Sequence, residues 1–226
     1  MCGGISISTV YVGSQQAKAC LISRLSCERA GTRFNVRGAN DDGAVANFVE
    51  TEQVIYLGDK VSSYVLVRGS VPLFWEQPGV NVGSHKIKMS RGTEVSQPAY
   101  ERHFAILKKR YGKQHIITLM GSKEGETRLT QLYREHHRTS THAKDTKMSV
   151  FDYHHQCPRG RQDNLTKKLL PDLQKSINDF GFYAFESAQL KASQSGTFRV
   201  NCVDCLDRTN CVQTFIGLLV ITKTHL

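Results

Sequence analysis

Toward the end of the chain the run RVNCVDCLDRTNCVQ, Arg199 to Gln213, gathers three cysteines, two aspartates and two arginines. Five residues, Val203, Asp204, Cys205, Leu206 and Asp207, separate Cys202 from Arg208, and Thr209 follows. The stretch therefore fits C-x5-R-T in a register that neither Cys205 nor Cys211 shares. A loop of this length, closing onto a helix N-terminus, turns the backbone N–H groups of residues such as Val203, Cys205 and Leu206 inward, where they suit the oxygens of a bound phosphate. The same positive potential favours the thiolate of Cys202, the form needed to attack phosphorus at neutral pH. Arg208 can grip two phosphoryl oxygens through its planar fork, a geometry that lysine lacks. A departing alcohol needs a proton, for which Asp207 and Asp204 are the local candidates. Thr209 is placed to donate a hydrogen bond to the sulfur when water attacks a phosphoryl-cysteine intermediate.

Other chemistries use parts of the same run. A zinc site would take the Cys202-x2-Cys205 pair with Cys211, or with His154, His155 and Cys157, yet no second C-x-x-C pair completes a familiar set. A thioredoxin-like site would place its C-x-x-C at the first helix of the chain rather than near its end; it leaves only a reversible oxidation of Cys205 with Cys202. Cysteines at a strand–helix junction also serve as plain core packing.

The elements that must position these residues are legible in the patterning. From Arg33 to Gln77 the segments TRFNVRG, VANFVETEQVIYL and SSYVLVRGSVPLFW are rich in β-branched and aromatic residues, which predicts an antiparallel meander. Helices are then predicted at Pro98 to Tyr111 and Glu124 to Arg138, with strands at HIITLM and at Met148 to Tyr153. Leu165, Leu169, Leu173 and Ile177 recur every fourth residue in a helix predicted from Asn164 to Phe180 and closed by Gly181. A strand from Thr197 to Asn201 leads into the cysteine run. Two basic segments rich in Gly or Pro, Gln77 to Gln97 and Gln156 to Asp163, are predicted as loops. The fold class is α/β, a mixed sheet flanked by helices, with a strand, a C-x5-R phosphate loop and a helix near the C-terminus. Sites in such folds lie at the carboxyl ends of the strands.

Lys and Arg number 30 against 20 Asp and Glu over 226 residues, a net charge of +10. Such a balance favours an acidic partner: nucleic acid, an anionic membrane surface or a phosphorylated substrate. The basic residues are scattered and not interleaved with aromatics, which argues against nucleic acid. Seven cysteines in irregular spacing and no signal-peptide pattern at the start indicate a reducing, cytoplasmic setting. The longest apolar run, Cys211 to Thr222, is too short to span a bilayer, so membrane contact would be peripheral. Cys2 stands where a myristoylation signal needs glycine, so no lipid anchor is assigned.

Extended to its full length, the run resembles the R-x-N-C-x-D-C-L-D-R-T-N catalytic signature of Sac-domain phosphoinositide phosphatases. CERAGTRFNVRGANDDGAVANFVETEQV, VRGSVPLFWEQPG, YGKQHIITLMGSKEGE and FDYHHQC extend the resemblance from about Gln15 to Leu219, and it is nearest to the synaptojanin branch. The resemblance implies removal of a phosphate from the inositol ring of membrane phosphatidylinositol phosphates, phosphatidylinositol 4-phosphate being a common substrate. It implies no metal and no other cofactor, peripheral action at the cytosolic membrane face, endocytic proteins as partners, and a place in membrane traffic. It carries the nucleophile to Cys202, the phosphate-binding arginine to Arg208 and the loop aspartates to Asp204 and Asp207. Arg68, Trp75, Asp152 and His154, in the RGSVPLFWEQ and FDYHH signatures, are expected to support the structure. Residues 1–226 then form part of a Sac catalytic domain, with the N-terminal β-rich Sac subdomain and the segment after the catalytic helix outside it. An alternative is a non-catalytic module that binds phosphoinositides through the same cradle and the basic residues Lys86, Lys88 and Arg91. A protein tyrosine phosphatase would share the C-x5-R spacing but not the upstream segments.

Overall fold

The computed structural model describes residues 2–31, 36–78, 87–122, 124–158 and 161–223. Its first strands, β1 (Cys2–Val12), β2 (Gln15–Leu25), β3 (Val49–Leu57) and β4 (Lys60–Arg68), pair in succession as an antiparallel meander. A short pair, β5 (Trp75–Glu76) and β6 (Lys88–Met89), stands apart from them. Then come α1 (Ser96–Tyr111), β7 (Lys113–Thr118), α2 (Glu124–Thr139), β8 (Lys147–Val150) and the single turn α3 (Tyr153–Gln156). A π-helical turn over Leu165–Leu169 runs into α4 (Leu170–Phe180). The hairpin β9 (Tyr183–Glu186) and β10 (Gln189–Ala192), then β11 (Gly196–Asn201) and α5 (Asp207–Ile221), complete the chain.

Among the described residues nine strands form one sheet in the order β1-β2-β3-β4-β11-β7-β8, with β9 joined to the start of β4 and β10 to β9. The antiparallel half becomes parallel at β11, which lies between β4 and β7 and runs with both. Alternation along the strands divides the core into two layers. Tyr64, Leu66, Ile117, Phe198 and Val200 meet Leu173, Ile177 and Phe180 of α4 and Val212, Ile216 and Val220 of α5 on one face. Ile116 meets Tyr100, Phe104 and Leu107 of α1 and Leu129 and Tyr133 of α2 on the other. The strand carrying the cysteine run is thus covered on both sides, as a parallel strand requires.

The expected helices and strands are present with small differences. Helix α1 begins before Pro98, at Ser96, because proline is well accommodated in a first turn. Strand β8 stops at Val150, because Asp152 caps the turn that follows and takes the chain out of the sheet. All four leucine and isoleucine positions of the four-residue repeat are buried. The meander reaches further upstream than Arg33, through β1 and β2, whereas Val36 to Asn40 are not strand apart from a bridge from Ala39 to Val45. Thr32 to Asn35 and 79–86, including Lys86, lie outside the described residues. Within the predicted loop from Gln77, β6 and a 3-10 turn at Thr93–Val95 are formed.

The crossing from α1 into β7 depends on Gly112, whose φ is 75° and whose added Cβ would lie 2.2 Å from the Ser195 carbonyl oxygen. Backbone cannot withdraw there, since the same carbonyl accepts the Lys113 N–H at 3.0 Å. Gly112→Ala is expected to destabilise the fold by about 2–3 kcal/mol, from left-handed strain and overlap together. A urea titration checks this, and an unchanged midpoint would contradict the α1–β7 geometry.

Candidate active site

The chain leaves β11 at Asn201, turns through Cys202 to Leu206 and enters α5 at Asp207. The exit is pinned to β7: the Leu119 N–H donates to the Asn201 carbonyl at 2.8 Å, and the Asn201 side-chain amide donates to the Thr118 hydroxyl at 3.1 Å. The loop closes at Cys205, which adopts a φ of 52°, a left-handed conformation uncommon outside glycine. That turn aims its N–H back at the Cys202 sulfur, 3.0 Å away, while the Cys205 thiol donates to the Cys202 carbonyl at 3.2 Å.

Cys202 is 2% exposed, and burial alone would favour the neutral thiol. The environment reverses this and pulls its pKa down to about 6. The neighbouring Cys205 side chain contributes most; the charge of Arg208 and the N–H groups of Leu206 and Cys205 add to it against the burial. Cys205 moves the opposite way, well above an ordinary thiol, through burial and then its hydrogen bond to Cys202. The two cysteines are thus driven in opposite directions, Cys202 toward the thiolate and Cys205 toward the thiol. In Cys157 burial raises the pKa with no such donor to oppose it.

Arg208 reaches across the end of β7. Its Nη1 donates to the Leu119 carbonyl at 3.2 Å and to Glu126 at 3.1 Å, and its Nη2 donates to the other Glu126 oxygen at 3.1 Å. Glu126 also accepts the Gly121 N–H, so the carboxylate is itself anchored. The far edge of the guanidinium, Nε–H with the second Nη2 hydrogen, makes no hydrogen bond among the described residues.

The two loop aspartates are placed differently. Asp204 pairs with Arg37 at 2.5 Å, and Arg37 is almost wholly buried, donating also to the Val203 carbonyl at 3.4 Å and to Gln77 at 2.9 Å. Asp207 stands exposed in the first turn of α5, with no side-chain hydrogen bond or ion pair among the described residues. Thr209 does not face the sulfur: its hydroxyl donates to the Leu206 carbonyl at 2.8 Å, bracing the first helical turn. Val203 and Cys205 are buried and Leu206 half-buried.

Of the four residues expected to support the structure, Trp75, Arg68 and Asp152 make contacts of that kind. Trp75 is buried with its indole N–H on the Val71 carbonyl, 3.2 Å away, and the Arg37 guanidinium lies 5.8 Å from its ring centre. Arg68 donates to Asn210 and ties β4 to α5. Asp152 accepts the N–H groups of Ser122 at 2.8 Å and His155 at 3.1 Å; burial works against its charge but these bonds outweigh it and hold the carboxyl low. His154 is exposed. Among the described residues no three His, Cys, Asp or Glu side chains are grouped to hold a metal ion. Sequence reasoning missed Glu126 and Arg37, whose only signal was a charge inside the quoted segments GSKEGE and FNVRG.

Cys202 thus lies buried at the carboxyl end of a central parallel strand in an α/β fold, with the N–H groups of Cys205 and Leu206 and the charge of Arg208 acting on its sulfur ahead of α5. The chain belongs to the SacI homology domain family, whose pattern matches residues 2–158. It is 59% identical over 223 residues to human Synaptojanin-1 and 53% identical over 222 residues to rat Synaptojanin-2, covering 99% and 98% of this chain. It is 36% identical over 216 residues, 92% of this chain, to the Saccharomyces cerevisiae protein Polyphosphatidylinositol phosphatase INP53. The chain spans 14%, 15% and 19% of the lengths of these three relatives.

Alkylation of Cys202 by iodoacetamide, followed by peptide mass spectrometry, is expected to rise with pH around a midpoint near 6. Arg208→Gln should move that midpoint upward, because the thiolate loses a nearby positive charge. The folded value lies below the unfolded one of 9.0, so thiolate formation contributes stability that is complete above the unfolded value and fades as pH falls through about 6. A midpoint near that of an ordinary thiol would contradict the site geometry.

Proposed function

We propose that the chain is a cysteine-dependent phosphoinositide phosphatase. The observation that carries the reading is the geometry of the C-x5-R loop, in which the Cys205 N–H points at the buried Cys202 sulfur from 3.0 Å. In the proposed reaction the Cys202 sulfur attacks phosphorus, the P–O bond to the inositol ring breaks, and a phosphoryl-cysteine forms. The free edge of Arg208 takes two phosphoryl oxygens while Glu126 holds the opposite edge. The leaving oxygen takes its proton from Asp207, whose carboxyl is unengaged, whereas Asp204 is occupied by Arg37 and has a positioning role. Asp207 then accepts a proton from the water that attacks the phosphoryl-cysteine, releasing inorganic phosphate and restoring the thiolate.

Phosphoinositides are the substrate class supported by the net charge of +10 and by the printed name of the yeast relative. Phosphatidylinositol 4-phosphate is the lipid proposed first. Peripheral action at the cytosolic membrane surface, in membrane traffic and endocytosis, belongs to the same proposal; no helix among the described residues is long and apolar enough to cross a membrane. Ile5, Ile7 and Tyr11 of β1 are 70%, 67% and 71% exposed, which supports the reading of residues 1–226 as part of a larger Sac catalytic domain that covers this face.

Phosphate release from short-chain phosphatidylinositol 4-phosphate is expected from the wild-type chain and should fall by roughly 10³-fold or more in Cys202→Ser and Arg208→Ala. Full activity in Cys202→Ser would end the proposal; binding to lipid vesicles without turnover would favour the non-catalytic module. Asp207→Asn should slow lipid hydrolysis by about 10²-fold yet leave 4-nitrophenyl phosphate, whose leaving group needs no proton, much less affected. The reverse ranking of Asp204→Asn and Asp207→Asn would exchange their roles.

A further inference from the structure

The short pair of β5 and β6 lies against the helix that braces Arg208, and the two enclose a recess that the proposed reaction does not use. Among the described residues it is lined by Ile87, Lys88 and Met89 at β6 and by Arg128 and Leu129 of α2, around a volume of about 280 Å³. A Cβ added to Gly125 would lie 3.4 Å from the Ile87 side chain, so this segment sits directly on the first turn of α2. The next residue, Glu126, is the one that holds Arg208. Gly125 and Arg128 are three residues apart and share a helical face, which puts Arg128 beside β6 while Glu126 turns to the loop. The floor of the recess is apolar. Leu129 is fully buried in one cluster with Trp75 and with Val203 of the phosphate loop, and the half-buried Ile87 and Met89 pack against that cluster. The recess therefore adjoins the phosphate loop through continuous packing.

Its rim is cationic. Lys88 and Arg128 are exposed, and among the described residues neither makes an ion pair or a hydrogen bond. The neighbouring arginines are engaged: Arg208 by Glu126, Arg37 by Asp204, and Arg91 by Asp41 at 2.5 Å, with the Arg91 guanidinium 4.2 Å from the Phe74 ring centre. Glu76, opposite Lys88 in the strand pair, neither lines the recess nor makes an ion pair with it. Two like charges on one recess repel each other, and an anion held between them relieves the repulsion. A bare phosphate would use the rim and leave the floor idle, whereas a phospholipid brings an anionic headgroup for the one and a glycerol and acyl region for the other.

We propose that this recess is a membrane contact, in which Lys88 and Arg128 hold the headgroup of an acidic phospholipid neighbouring the substrate while Ile87 and Met89 meet its glycerol and acyl region. The inference rests on the proposed action at a membrane surface. A second lipid held beside the loop fixes the orientation of the cradle over the bilayer and leaves Cys202 and Arg208 to the substrate.

The test is co-sedimentation of the full chain with vesicles of phosphatidylcholine alone, with added phosphatidylserine, or with added phosphatidylinositol 4-phosphate. Wild type is compared with the double variant Lys88→Gln, Arg128→Gln and with a control, Arg138→Gln, Lys144→Gln, which removes the same charge at the other end of α2. Wild type is expected to bind the phosphatidylserine vesicles, and the Lys88, Arg128 variant to bind them about thirtyfold more weakly, about fivefold for each charge lost, with the control close to wild type. An equal loss in the control overturns the proposal, because net charge would then be the cause. A loss confined to phosphatidylinositol 4-phosphate vesicles also overturns it, by giving the recess to the substrate's own ring phosphate. So does wild-type binding to phosphatidylserine vesicles no stronger than to phosphatidylcholine alone. Phosphatidylserine vesicles carry no ring phosphate to release, so a chain that binds them through the recess yet hydrolyses no phosphoinositide would count against the phosphatase and leave this contact standing.

Discussion

The arrangement depends on lowering the pKa of one sulfur where water barely reaches it. An anion in that position loses its hydration and must regain it from fixed dipoles and charges. Here the loop supplies N–H groups and the Cys205 side chain, and Arg208 supplies charge. These groups hold their directions only because the loop is bound at both ends, by the β7 bonds to Asn201 at the strand side and by the first turn of α5 at the other. Layers of helix on both faces of β11 then exclude the water that would otherwise compete.

Charge near the loop is arranged in pairs rather than in a single field. The Glu126 pair fixes one edge of Arg208 and leaves the other open, while the Arg37 pair withdraws the Asp204 carboxylate from the cradle. Two unpaired carboxylates there would repel a phosphate, so tying one to a buried arginine relieves a conflict built into the sequence. Dipoles fixed in advance stabilise developing charge without reorganising, and the anchoring of Glu126 to the Gly121 N–H extends that bracing a further step from the substrate.

Much of this was legible because it is local. The five-residue spacing from Cys202 to Arg208 specifies a loop before a helix, and the four-residue repeat from Leu165 to Ile177 specifies a buried helical face; both are present. The role suggested for Thr209 relied on closeness in sequence, and the hydroxyl instead took the Leu206 carbonyl, the usual local competitor in a first helical turn. Glu126 and Arg37 lie 82 and 167 residues from their partners, and no spacing rule reaches that far. Their charges were visible, but only the sheet order brings them to the loop.

That sheet order has a consequence for how the site forms. Strand β11 is the last strand in sequence yet lies between β4 and β7, so both of its pairings join segments far apart in the chain. Arg37 arrives from the irregular stretch before β3 and Glu126 from α2, both far upstream of the loop in the order of the chain. Closing such separated contacts loses entropy before it gains packing, which makes assembly of this region late and cooperative. The low thiol pKa is therefore a property of the assembled sheet: a peptide carrying RVNCVDCLDRTNCVQ has the same spacing but neither the fixed N–H groups of Cys205 and Leu206 nor the braced Arg208 that act on Cys202 against its burial.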